Sequence, residues 1–265
     1  MPPSEPTRLL LLGYDHGRHG AIELLEPAAG LACGITAGSD PDSPSMASKG
    51  DLEHPNEDGL LVIDDGRHAL LAVADGHHGV ESSHALLGWL NDLVGEPPTD
   101  GRSMLGLLQR LESMEPAPPG PAGSTLLIAW LDRQTGVGIG VSFGDSSVAL
   151  VGETHEARPL NQHNRRYVSP AAPQTLALGG AEPFQFQADP GDLLLVFTDG
   201  IDGCHYGSPE TSLQASHLTS IARAHDLHPG RTAAGILEQA LRGVDGNPGG
   251  QDNIALIATV ARSRG

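Results

Sequence analysis

Acidic residues mark the ends of apolar runs at four places in this 265-residue chain. Asp75 follows Leu70-Leu-Ala-Val-Ala74, and Asp199 follows the run 193–198; each is then followed by glycine. Glu57-Asp58 stand just before the run 59–63, and Asp252 precedes Asn253 and the run 254–258. Glycine after an aspartate lets a backbone carbonyl turn toward a ligand. Oxygen-only donors of this kind suit hard cations, Mg2+ or Mn2+, better than zinc. Two such ions close together could activate a water and neutralise a phosphate under attack. Any single Asp-Gly pair reads first as a turn, and Asp64-Asp65-Gly66 is read that way. The set of these acidic positions, and their order along the chain, outweighs that reading for the others.

These carboxylates need elements to hold them. The run 59–63, the Asp64-Asp65-Gly66 turn and the run 69–74 predict a β-hairpin ending at Asp75. Ala85, Leu86, Trp89, Leu90 and Leu93 fall at helical spacing within 80–94, and Met104 to Leu111 mark a second helix, closed by Pro116 to Pro121. Strands follow over 124–131, 137–143 and 147–151. A Pro/Gly-rich connector, 161–180, leads to a strand over 192–197. Helices over 212–224 and 232–241 precede a last strand over 254–260. Residues 38–50 read as a loop, and residues 1–30 as an N-terminal extension or peripheral strand. Strands, two helices, strands, two helices and a strand indicate an α+β fold with antiparallel sheets.

Composition narrows the function. Lys+Arg 15 against Asp+Glu 33 gives a formal charge of −18. Such a surface repels nucleic-acid phosphates and anionic lipid, so neither is expected as a partner. Cys33 and Cys204 form no CxxC pair, which argues against a disulfide scaffold or a cysteine zinc site. Leu9 to Leu12 is too short to cross a bilayer, and no secretory signal pattern is visible. The expectation is a cytoplasmic protein.

The ordered motifs resemble the metal-dependent protein phosphatase family (PPM, type 2C serine/threonine phosphatases) of bacterial type. The resemblance is carried by Asn56-Glu-Asp58, Val73-Ala-Asp-Gly-His-His-Gly79, Gly123-Ser-Thr125, Phe143-Gly-Asp-Ser146, Phe197-Thr-Asp-Gly200 and Gln251-Asp-Asn-Ile254. Leu160-Asn-Gln-His163 and Leu176-Ala-Leu-Gly179 are weaker matches. The resemblance implies an α-β-β-α sandwich, two central antiparallel sheets flanked by pairs of helices, within a phosphatase domain over 31–265. It implies two Mn2+ or Mg2+ ions, with room for a third, and hydrolysis of phosphoserine or phosphothreonine in proteins by a metal-bridging hydroxide. By position, Asp75 bridges the metals, the Gly76 carbonyl ligates one, and Asp199 and Asp252 complete the other site. Glu57 and Asp58 hold metal-bound waters or ligate at the rim, and Asp145 with Asp199 serves a third ion. His77 is the general acid, and Asn253 orients the groups behind the ligands.

Three departures bear on substrate. The family's phosphate-binding arginine, four residues before the glutamate, is replaced by Glu53, so that either His54, Lys49 or another cation takes its place, or the phosphate is held by the metals alone. The flap, near 164–178, is short, although Arg165-Arg166 lies in it. His78 stands where a small residue is common. These departures keep two alternatives open: a catalytically weak or inactive regulatory or binding module, and a phosphatase of a small phosphorylated molecule. The partner expected by family analogy is a phosphoprotein substrate, such as that of a Ser/Thr kinase, met by a monomer.

Overall fold

The computed structural model describes residues 5–115, 123–176 and 180–261. The first of its two antiparallel sheets begins with β1 (Thr7–Leu12), and the second has β2 (Glu23–Ala28) and β3 (Leu31–Thr36) at one side. The hairpin β4 (Asp58–Asp64) and β5 (His68–His77) lies next to β1. Helices α1 (Glu81–Leu93) and α2 (Gly101–Glu112) follow, then β6 (Gly123–Ser124), β7 (Leu126–Asp132), β8 (Val137–Phe143), β9 (Ser147–Val151) and β10 (Arg158–Pro159). The chain continues through β11 (Glu182–Gln187), β12 (Leu193–Phe197), α3 (Ala215–Ala224) and α4 (Pro229–Arg242) to β13 (Ile254–Val260). The first sheet runs β1-β4-β5-β7-β8-β11, with β6 on the end of β5, and the second runs β10-β9-β12-β13-β3-β2.

The central strands are apolar on both faces because both faces are covered. Leu60, Val62, Leu71 and Val73 meet Leu194, Val196 and Ile257 between the sheets. Their neighbours Leu61, Leu70 and Ala72 pack outward on Leu86, Leu90 and Leu108 of α1 and α2. On the other side, Leu195, Phe197 and Leu256 pack on Leu218, Ile236 and Leu237 of α3 and α4. Each such Leu or Val contributes roughly 1.5–3 kcal/mol by leaving water. The result is the expected α-β-β-α sandwich. Helix starts are set locally: the Asp100 carboxylate accepts the Ser103 N–H (2.8 Å) to open α2, and Pro229 opens α4.

Sequence patterning did not disclose β3, β10 or β11. Phe184 and Phe186 of β11 point into the core between exposed glutamines, but Pro183 speaks against a strand. The edge position of β11 resolves the conflict, since an edge strand tolerates a proline. Pro27 is accommodated in the same way in β2, where the register shifts between Leu25 and Ala28. Residues 1–30 thus provide one edge strand to each sheet. The 116–121 helix stop and most of the Leu176-Ala-Leu-Gly179 match lie outside the described residues.

Candidate metal centre

Sheet register delivers the first carboxylates. Pairing of β4 with β5 sets Asp58 opposite Asp75 at the end of the hairpin. There β6 docks beside Gly76 and His77. The Asp75 backbone is clamped: its N–H donates to Thr125 Oγ1 (2.9 Å), while its carbonyl accepts from Ser124 Oγ and from the Thr125 N–H (each 2.9 Å). Gly123-Ser-Thr125 is therefore a brace under Asp75. Gly76 is required by close packing, because a Cβ there would lie 2.8 Å from both the Glu57 carbonyl and Ser83 Oγ. Gly200, after Asp199, likewise abuts the backbone carbonyl of Asn253.

The remaining carboxylates reach the same end from the other strands. Antiparallel pairing of Phe197 with Leu256 brings Asp199, just past β12, beside Asp252, just before β13. Asp145 lies in the turn between β8 and β9. That turn is held by Asn161, whose Nδ2 donates to the Ser146 carbonyl (2.9 Å), and by Asn164, whose Oδ1 accepts the Gly144 N–H (2.9 Å). Ligand oxygens of Asp75, Asp145 and Asp199 all lie within 4.8 Å of one another. Among the described residues, Asp145 Oδ1 is buried with no hydrogen-bond partner. An all-oxygen group with an unsatisfied buried oxygen fits a hard divalent cation.

The other half of the acidic end is already engaged by protein donors. Lys49 Nζ lies 2.9 Å from Asp252 Oδ1 and 3.7 Å from Glu57 Oε2. Glu57 Oε1 accepts the Gly50 N–H (2.7 Å), and Asp58 Oδ2 accepts from Thr198 Oγ1 (2.6 Å). Asn253 Oδ1 accepts the Glu57 N–H (2.9 Å), so Asn253 positions the Asn56-Glu-Asp58 segment from behind. Lys49, Glu57, Asp75, His77, Asp145, Asp199 and Asp252 line one cavity of about 180 Å³.

Crowding these acids has an electrostatic consequence. Burial, then the neighbouring Asp58, raises Asp75 well above the ordinary carboxylate range; burial, then Asp75, does the same to Asp199. Burial pushes Asp58 up to about 7 against the opposing pull of Lys49. Burial would lower the Lys49 pKa, but Asp252 first, then Asp75, Asp58 and Glu57, outweigh it and raise it. The ammonium is therefore charged.

His77 stands at the cavity with Nε2 3.6 Å from Asp75 Oδ2 and its ring edge-on to Tyr167, centroids 4.5 Å apart. Burial lowers its pKa, opposed mainly by Asp145. His78 takes a left-handed φ of +64°, uncommon for a residue with a side chain, and also lines the cavity. His54 is placed elsewhere: its ring stacks on Tyr14 at 3.9 Å and is absent from the cavity lining. Glu53 and Arg165 are exposed.

Several contributors escaped sequence reasoning. Tyr167 and Tyr206, both exposed, border the cavity; their rarity, in a chain with 3% aromatic residues, was the available signal. Ser147 Oγ donates to Asp202 Oδ2 (2.9 Å) and lies 2.8 Å from His163 Nε2, tying the weak Leu160–His163 match to the wall beside Asp145 and Asp199.

This sandwich, with its metal-fitting acidic end, defines a PPM-type phosphatase domain. The model of the family described as Stage II sporulation protein E (SpoIIE) matches residues 65–261, and the chain belongs to that family. Among solved structures, the catalytic domain of the serine/threonine protein phosphatase PstP in complex with two manganese ions is similar at TM-score 0.60 and 18% identity, covering 91% of this chain and 100% of that one. RsbX in complex with magnesium is similar at TM-score 0.54 and 14% identity, covering 90% and 98%. PppA, a regulatory component of the type VI secretion system in Pseudomonas aeruginosa, is similar at TM-score 0.56 and 17% identity, covering 86% and 96%. At these identities the likeness is one of fold. No curated protein matches the chain. Among the described residues, no helix is long and apolar enough to cross a membrane.

Proposed function

We propose that the protein is a Mn2+- or Mg2+-dependent phosphatase that hydrolyses phosphoserine and phosphothreonine monoesters in proteins. The observation that carries this reading is the convergence of Asp75, Asp145 and Asp199 at a cavity that also holds His77. A divalent ion held there supplies water activation and neutralises phosphoryl charge. The chain's own residues do the rest. Asp75, braced through its backbone by Ser124 and Thr125, fixes the position of the metal donors. The alkoxide of serine or threonine is a poor leaving group, and His77, which lines the cavity, would give it a proton. Gly76, pressed against Glu57 and Ser83 beside Asp75, would offer its carbonyl to the ion. The enzyme would act in the cytoplasm on phosphoproteins, as a counterpart to a Ser/Thr kinase.

A second reading, a binding or regulatory module without turnover, draws support from one feature: among the described residues no arginine lines the cavity, while Glu53 is exposed and His54 is stacked away on Tyr14. Release of phosphate with Mn2+ present, compared between a phosphothreonine peptide and small alkyl phosphoesters, tests the proposal. Faster release from the peptide is expected. Preference for the small esters would move the substrate class, and release from neither would favour the binding module.

A further inference from the structure

Lys49 is the only lysine in the chain, against fourteen arginines. In a protein of charge −18, that single ammonium is not spent on solubility. Its side chain is 6% exposed, and its partners Asp252 and Glu57 occupy positions that the family resemblance assigns to metal binding. The loop that carries it is pinned on both sides. The Lys49 N–H donates to the Met46 carbonyl (3.2 Å), the Gly50 N–H to Glu57 Oε1, and Ser43 Oγ to the Gln251 carbonyl (2.8 Å). A Cβ at Gly50 would meet the His78 carbonyl at 2.6 Å, so this loop is seated directly on the segment after Asp75. Meanwhile the carboxylates on this side have their protein donors: Lys49 for Asp252, Gly50 and Lys49 for Glu57, Thr198 for Asp58. Among the described residues, the side left unsatisfied is that of Asp145 Oδ1, where Asp75, Asp145 and Asp199 converge.

We propose that the Lys49 ammonium is a built-in cation that takes the place of a divalent ion on the Glu57–Asp252 side, so that the protein binds a divalent ion on the Asp75–Asp145–Asp199 side alone. A fixed positive charge a few ångströms from a divalent ion's position opposes that ion strongly where the dielectric is low. The same ammonium lines the cavity and stands ready for a phosphoryl oxygen, which compensates for the arginine replaced by Glu53. This inference rests on the metal-centre reading above.

The test is Mn2+ titration of the full chain by calorimetry, comparing wild type with Lys49→Met and Lys49→Gln. Wild type is expected to bind one Mn2+ per chain. The variants are expected to bind two, the second tightened more than about a hundredfold. Two tightly bound ions in wild type, with no change in the variants, would overturn the proposal. Binding of none by any of the three proteins would remove the metal centre itself and the proposal with it. Because the variants release mutually repelling acids and could fail to fold, wild type provides a second measurement. Acylation by an amine-reactive ester, mapped at Lys49 by mass spectrometry, should stay slow both without and with Mn2+. A rise to the rate of a free amine on adding Mn2+ would show the lysine expelled by the metal and would overturn the proposal.

Discussion

Replacing Asp199 by Asn should stabilise the metal-free protein while disabling its centre. The Asp199 carboxylate lies within 4.8 Å of ligand oxygens on both Asp75 and Asp145. At that distance, with an effective dielectric of about 20, one full pair of like charges repels by about 3 kcal/mol. Two pairs do not double the gain, because near neutral pH a proton taken up by the crowded group relieves part of the cost, so about 3 kcal/mol is the net expectation. For a chain of this length, each kcal/mol moves the melting temperature by about 2–4 °C, giving roughly 6–12 °C in EDTA. The sign of the pH dependence follows from the raised carboxyl pKa values. With their carboxyls raised by burial and by one another, folded Asp75 and Asp199, and Asp58 at about 7, take up protons at a higher pH than the carboxyls of the unfolded chain, near 4. Metal-free wild type should therefore become more stable as pH falls from 8 to 6, and Asp199→Asn should flatten that slope. Mn2+ should reverse the order, raising the melting temperature of wild type and leaving the variant nearly unmoved. Thermal unfolding by circular dichroism, with EDTA and with Mn2+, reads all of this. A variant that melts below wild type in EDTA, or that keeps the full Mn2+ shift, would refute the reasoning.

Two further substitutions probe separate parts of the site. His77→Ala should slow release from an alkyl phosphopeptide by about 100-fold or more, yet slow an aryl phosphate less than about tenfold, because an aryl oxide leaves without a proton; equal slowing would remove His77 as the proton donor. Thr198→Val keeps the shape of the side chain but deprives Asp58 Oδ2 of its 2.6 Å donor across the two sheets. It should cost about 1–3 kcal/mol in urea unfolding, and no change would mean that this bond does not join the sheets energetically.

How much of this could be read from the sequence depended on distance along the chain. Asp75 and Asp199 were legible because an apolar strand, an aspartate and a glycine are contiguous, and the last strand, 254–260, was read with its observed bounds. The hairpin before Asp75 was equally local, since its turn residues lie between its strands. β11 was hidden by Pro183, a residue whose meaning depends on whether the strand lies at an edge, and that is a tertiary fact. Lys49 was visible only as one of two candidate phosphate cations. Its ion pair with Asp252 spans about two hundred residues and depends on a loop docking onto the segment after Asp75, which no local pattern records. His54 looked equivalent in sequence, but stacking on Tyr14, forty residues earlier, holds it away. The Ser147–His163–Asp202 contact and the Asn164 brace under Asp145 have the same non-local character.

The central claim is that carboxylates gathered around Asp75 hold a divalent ion that drives phosphoester hydrolysis. Its most direct test is phosphate release from an aryl phosphate and a phosphothreonine peptide, in Mn2+ and in EDTA, by wild type and Asp75→Asn. The account predicts release by wild type in Mn2+, none in EDTA, and none by the variant even though its fold is intact by circular dichroism. Equal release in EDTA, or undiminished release by Asp75→Asn, would contradict it.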